Sequence, residues 1–184
     1  SLQGAPGSDD LYYGDLDLPE VEPGKTPYDV LIEGTGGPGN PSIIDANFID
    51  RVLELGQNRK LTLKNLIIKN GLVEADNDND DAVRGGGIAM RFNSTLTLEN
   101  VRLTNHTVRC ISESACTFTQ GGAIYSGNAN LSLLNVELDH NSADRGSAIY
   151  FWDAVGNRDF SIERSAIHHN LSQTTAIAGK GSLY

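Results

Sequence analysis

Three groups of residues in this 184-residue chain have types and spacings that could do chemistry. The first is the acidic run "EADNDNDDA", in which Asp76, Asp78 and Asp80 alternate as at the start of a calcium loop. The loop glycine of an EF-hand is replaced by Asp81, and Gly87 stands where the closing glutamate belongs. The competing reading is a solvated connection between strands. The second group is His140, His168 and His169 with Asp139, which suits metal binding or acid–base work. A polar turn position that simply recurs would look the same. The third is Cys110 and Cys116 in "CISESAC", close enough in sequence to close a small disulfide loop in a secreted protein. Neither cysteine has the CxxC or Cys/His spacing of a zinc site.

Other polar residues are more scattered. Glu99, Glu137, Asp139, Asp144, Asp153 and Asp159 carry the carboxylates that a polysaccharide hydrolase would need as a facing pair. Their dispersal assigns no catalytic residue. Tyr150, Phe151 and Trp152 could form an aromatic platform for a sugar, or simply be packing positions. Asn93, Asn105, Asn130 and Asn170 each begin an N-x-S/T sequon, open to glycosylation in a eukaryotic secretory pathway.

The charge balance narrows the partners. The chain holds 24 Asp and Glu against 14 Lys and Arg, a net charge of −10. Nucleic acid and anionic membrane both attract clustered positive charge, so neither is the expected partner. No apolar run approaches the length of a membrane span. The 20 glycines and short apolar alternations such as "LTLKNLIIKN" indicate β structure with many tight turns.

These residues are placed by a repeat. "LTLKNLIIKN" begins at Leu61, "LTLENVRLTN" at Leu96 and "LSLLNVELDH" at Leu131, 35 residues apart each time. "FSIERSAIHH" follows at Phe160 after 29. Each block is followed by a polar connection and then a glycine-pair segment: "RGGGIAM", "QGGAIYS" and "RGSAIYF". No single unit could bury its apolar face, so the units must stack. A parallel β-solenoid does this with strands about 4.8 Å apart. Stacking predicts interior columns Leu61/Leu96/Leu131/Phe160 and Leu63/Leu98/Leu133/Ile162. It predicts a turn ladder of Asn65, Asn100 and Asn135, since Asn tolerates left-handed backbone and its amide can bond its copy one level away. It also sets Lys64 beside Glu99 and Arg102 beside Glu137. Gly86, Gly87, Gly121, Gly122 and Gly146 mark the repeated corner at which each strand is entered. Upstream, strands are expected near Val30–Glu33, Ser42–Asp45 and Arg51–Leu55. Residues 1–27 form an acidic arm or cap, and 28–184 the repeat domain.

The segments "VLIEGTGG", "LTLKNLIIKNG", "LTLENVRLTN" and "GGAIY" resemble secreted parallel β-helix proteins with polymorphic outer-membrane-protein-type repeats, marked by a GGAI tetrapeptide. Gly121–Ile124 match it fully. Gly85–Ile88 differ once, and Ser147 replaces a glycine at 146–149. The resemblance implies a right-handed helix of about four to five coils, located outside the cell and acting in adhesion or as a stalk. It implies no common ligand and no catalytic residues.

The expectation is therefore an all-β, right-handed parallel β-helix working as a non-catalytic extracellular structural or adhesive module. Its partners would be other surface proteins, glycans or copies of itself stacked end to end. A carbohydrate-active or carbohydrate-binding β-helix is the alternative. Calcium is the one cofactor the sequence suggests.

Overall fold

The computed structural model describes residues 16–22, 24–26, 28–37, 39–76, 83–111 and 116–180. Its elements are all strands, and they come in recurring sets of three. The first set is β1 (Leu16–Leu18), β2 (Asp29–Glu33) and β3 (Ser42–Asp45). Next come β4 (Leu53–Leu55), β5 (Lys60–Lys69) and β6 (Leu72–Ala75), followed by β7 (Ile88–Met90), β8 (Thr95–Thr104) and β9 (Thr107–Cys110). The chain continues through β10 (Ile124–Gly127), β11 (Asn130–Leu134) and β12 (Glu137–Asp139). It then passes β13 (Ile149–Trp152), β14 (Phe160–Glu163) and β15 (Ala166–His168), and reaches β16 (Ile177–Lys180).

Every strand pair is parallel. One sheet has the order β1-β4-β7-β10-β13-β16. The second is centred on the long strands β5 and β8. β2 and β3 pair with the two halves of β5, β11 and β12 with the two halves of β8, and β14 and β15 follow. β6 and β9 form a short third sheet. This is an all-β architecture of stacked parallel sheets, compatible with a β-solenoid. Leu16–Leu18, in the acidic leading segment, is the outermost described strand of the first sheet.

The register follows the repeat. Leu61 pairs with Leu96, Leu96 with Leu131 and Leu131 with Phe160. The column of Leu63, Leu98, Leu133 and Ile162 runs beside it. All of these side chains except Ile162 meet those of the first sheet, such as Leu55, Met90, Ile124 and Ile149, in one continuous core. Ile162 lies in the last described strand of its column and stays partly exposed. Burying one such leucine stabilises the fold by about 2 kcal/mol, so a column of three or four outweighs any surface pairing.

The corners explain how long strands turn without losing register. Asn65, Asn100, Asn135 and Arg164 all have φ near +50°. So do Asn58, Asn93 and Asn128 in a second column, and Asn70, Asn105, His140 and His169 in a third. Left-handed backbone costs asparagine least among residues with a side chain. The amides also link the levels: Asn135 Nδ2 donates to Asn100 Oδ1 (2.6 Å), and Asn100 Nδ2 donates to Asn65 Oδ1 (3.2 Å).

The glycine corner is fixed by Ile88, Ile124 and Ile149, which share one column. Gly85, Gly121 and Gly146 then coincide, and these three carry positive φ. Gly86 therefore stands beside Gly122, and Gly87 beside Ala123. A Cβ on Gly122 would lie 2.1 Å from the Ser147 carbonyl oxygen. Close approach of successive corners, rather than turning, is what requires glycine there.

Candidate functional site

Most of the polar chemistry gathers on the outward face of the second half of the second sheet. β3, the ends of β5 and β8, β12 and β15 supply it. One outward column reads Ile43, Ile67, Arg102, Glu137 and Ala166. The next reads Asp45, Lys69, Thr104, Asp139 and His168. The asparagine ladder flanks this face on one side, and the Asn70/Asn105/His140/His169 corner flanks it on the other. Between the ladder and the Arg102–Glu137 column lies a trough of about 590 Å³, lined at one end by Gly36, Gly37 and Pro41.

Asp139 organises this face. Its carboxylate is fully buried and accepts from Arg102 Nε (2.8 Å) and Nη2 (2.7 Å), from Thr104 Oγ1 (3.1 Å) and from His140 Nδ1 (2.5 Å). Burial alone would raise its pKa. The hydrogen bonds from Arg102, His140 and Thr104 and the guanidinium charge outweigh that and hold the carboxyl well below the usual range. The same pairing raises Arg102, chiefly through the bond to Asp139. Asp139 is thus an anchor held in its ionised form and unsuited to donate a proton. Glu137 sits beside Arg102 at 3.5 Å and accepts from His168 Nε2 at 3.1 Å. His140 and His169 stack with ring centroids 5.4 Å apart, and His168 meets His169 edge-on.

Elsewhere four carboxylates are tied into turns and cross-level pairs. Asp153 accepts from the backbone N–H groups of Val155, Gly156 and Arg158 and pins the turn before β14. Those donors lower its pKa against the opposing effect of burial. Asp144 accepts from Thr119 N and Oγ1 and from Gln173 Nε2. Glu99 pairs with Lys64 at 2.7 Å, and Glu74 with Arg109. Among the described residues, no group of three or more His, Cys, Asp or Glu is placed to hold a metal ion.

The remaining sequence candidates fall as follows. Asp76 is exposed at the end of β6, while Asp78 and Asp80 lie outside the described residues. Cys110 and Cys116 are joined in a disulfide with Cα atoms 5.9 Å apart. The disulfide lines a second cleft of about 800 Å³, with Val108, Ser142, Leu171 and Gln173. Tyr150 stacks on Tyr125 at 5.9 Å, and both are buried. Phe151 points inward onto Phe160, so Tyr150, Phe151 and Trp152 do not form one exposed platform. Of the sequon asparagines, Asn93 and Asn105 stand exposed at left-handed corners. Asn130 bonds Thr95 Oγ1 through Nδ2. Asn170 bonds the Leu138 and His168 carbonyls through its own Nδ2.

Sequence reasoning passed over His106. It is fully buried at the turn between β8 and β9. Its Nδ1 accepts from Gly71 N (3.0 Å), and its Nε2 lies 3.1 Å from the Ile68 carbonyl. An acceptor role for Nδ1 fixes the proton on Nε2. Desolvation drives its pKa down to about 4. One level on, Asn141 Oδ1 accepts from His106 N, and Asn141 Nδ2 donates to Leu103 O. Asn170 repeats the pattern with Asn141 N and Leu138 O. His106 is therefore the imidazole member of an internal amide ladder. The 35-residue spacing of 106 and 141 was the signal available.

Comparison with protein families, with curated proteins and with solved structures finds no match to this chain. Among the described residues, no helix is long and apolar enough to cross a membrane.

Proposed function

We propose that the chain is a non-catalytic extracellular structural and adhesive module, a right-handed parallel β-helix of four to five coils resembling GGAI-repeat surface proteins. The observation that supports this most is where the ionisable groups go. Lys64–Glu99, Lys69–Asp45, Arg102–Asp139 and Arg109–Glu74 each join neighbouring levels of the stack. The carboxylates with shifted pKa values, Asp45, Asp139 and Asp153, are all lowered, which suits anchors rather than general acids.

In this proposal copies join end to end. A copy would add its strand in parallel beyond the outermost described strands. Light scattering and negative-stain microscopy over a concentration series test this. Filaments or ladders are expected, and a strictly monomeric chain would overturn end-to-end assembly. Intact mass of protein from its native source tests secretion, through glycans on Asn93, Asn105, Asn130 or Asn170 and an oxidised cysteine pair. Calcium on the Asp76 segment would raise the melting temperature, and changing Asp76, Asp78 and Asp80 to Asn would remove the rise.

The trough favours a second reading, carbohydrate binding. Exposed amides at strand spacing on one wall and a guanidinium and carboxylate on the other suit the hydroxyls of an extended glycan. Binding on a glycan panel that Asn100→Ala weakens would support it. Binding that survives the substitution would remove it.

A further inference from the structure

The four asparagines that open N-x-S/T sequons differ in what their amides are doing. An asparagine amide has one oxygen and two N–H donors, and a sugar on Nδ2 takes the place of one hydrogen. Asn93 keeps every bond it makes under that change. Its Oδ1 accepts from Arg158 Nη1 (2.7 Å), and its Nδ2 donates once, to Asn58 Oδ1 (2.8 Å). It stands exposed at a left-handed corner with φ of 58°. Phe92 beside it is 47 % exposed, so a sugar on Asn93 would cover an apolar ring. Asn105 is likewise exposed at a left-handed corner, with φ of 60°. Asn170 is the opposite case. It is half-buried, and its Nδ2 donates to both the Leu138 carbonyl (2.9 Å) and the His168 carbonyl (3.0 Å). Its Oδ1 accepts from the backbone N–H and the side-chain amide of Asn141 (2.9 and 3.0 Å). A sugar there would break a bond of the internal amide ladder and leave a carbonyl without its donor. Asn130 is also half-buried and is tied on both sides. Its Nδ2 donates to Thr95 Oγ1 on one level (3.3 Å), and its Oδ1 accepts from Asp159 N on the next (3.0 Å). Levels about 4.8 Å apart leave a sugar on that nitrogen crowded against Thr95.

We propose that Asn93 and Asn105 are the glycan-bearing positions of the folded chain, and that Asn130 and Asn170 stay bare and serve the stack. This rests on the extracellular reading above, taken through a eukaryotic secretory route. The co-reactant is a lipid-diphosphate-linked oligosaccharide. The bond formed joins Nδ2 to the anomeric carbon of the first sugar. The bond broken joins that carbon to the diphosphate, which leaves with its lipid, and the amide gives up one proton. A chain modified at Asn170 loses a rung that joins β12 to the level of β15, and does not reach the secreted, folded state.

The test is expression of the full chain in a eukaryotic secretory host, with peptide mass mapping before and after enzymatic removal of glycans, which turns each modified Asn into Asp. Asn93 and Asn105 belong to sequons ending in Thr95 and Thr107, whereas those of Asn130 and Asn170 end in Ser132 and Ser172. Ser132→Thr and Ser172→Thr remove that difference and keep the hydroxyls that bond Ser161 Oγ and the Asp144 carbonyl. Secreted parent and both variants should carry sugar on Asn93 and Asn105 and none on Asn130 or Asn170. Chains modified at Asn170 should be confined to the cell interior. Sugar on Asn130 or Asn170 in secreted protein with the parent's circular dichroism spectrum would overturn the assignment, as would secreted protein bare at Asn93 or Asn105. A bare chain from the native source, beside a host-made chain modified at Asn93 and Asn105, would instead remove the secretory reading and leave the assignment standing.

Discussion

His106 gives the sharpest test of the stacked frame, because it is the one ladder member that titrates. Its folded pKa is about 4, against an ordinary value of 6.5. Between those values the unfolded chain binds a proton that the folded chain refuses. Stability therefore rises with pH across this window. It is complete above about 6.5 and is lost as pH falls towards about 4. With each pH unit worth about 1.4 kcal/mol, the loss comes to about 3 kcal/mol. The structure gives the cause. A proton on Nδ1 would point at the Gly71 N–H, and the charge would sit in a site with no solvent. Asn141 and Asn170 do the same work without titrating, so His106→Asn should keep the ladder. Urea denaturation of both proteins from pH 7.5 to 4 measures the difference. Other histidines and carboxylates are common to both and cancel. The variant's stability should be flatter with pH by about 3 kcal/mol. Equal pH dependence in the two proteins, or a His106 ring that titrates near its ordinary value by NMR, would refute the reasoning.

Four other outcomes are expected. Gly122→Val should unfold the protein or lower its stability by more than about 3 kcal/mol, since its Cβ would meet the Ser147 and Ser142 carbonyls at 2.1 and 2.8 Å; thermal melting checks this. Leu98→Ala, at the centre of the core, should cost about 2–5 kcal/mol by urea denaturation. Ser147→Ala should be neutral or slightly stabilising in the same assay, because the buried Ser147 hydroxyl has no hydrogen-bond partner among the described residues. Asp139→Asn should destabilise at neutral pH and flatten the acid limb below about pH 4. A native pKa held below the ordinary value contributes stability that disappears as pH falls through it.

The periodic positions were legible because stacking forces like residues to coincide. The leucine columns, the Asn65/Asn100/Asn135 ladder and the Lys64–Glu99 pair all follow from a 35-residue shift, and the register reproduces them. The strands expected near Val30–Glu33, Ser42–Asp45 and Arg51–Leu55 appear as Asp29–Glu33, Ser42–Asp45 and Leu53–Leu55. What stayed hidden depends on which way a side chain turns at a corner. Asn105 and His106 are adjacent and polar, yet the first is exposed and the second fully buried. Composition cannot separate them, because burial there is decided by the orphan Gly71 N–H and Ile68 carbonyl that only the folded corner creates. The run "RGGGIAM" was ambiguous for a related reason. Three consecutive glycines fit the corner in two alignments, and only the Ile88–Ile124 pairing selects one.

That alignment also accounts for the departure from GGAI. Gly87 falls where the next levels carry Ala123 and Ala148. A Cβ at Gly87 would lie 3.0 Å from His106 Cγ and Cδ2. The next levels have Asn141 and Asn170 in the ladder, whose side chains end sooner. The missing methyl at 87 and the larger ring at 106 thus belong to one packing arrangement, separated by 19 residues of sequence and joined by one corner. His106→Asn should then make room for Gly87→Ala, and the pair should be more stable together than the sum of the single changes predicts. Additive effects would place the glycine's requirement elsewhere, at the Ala123 carbonyl 2.6 Å from the same Cβ.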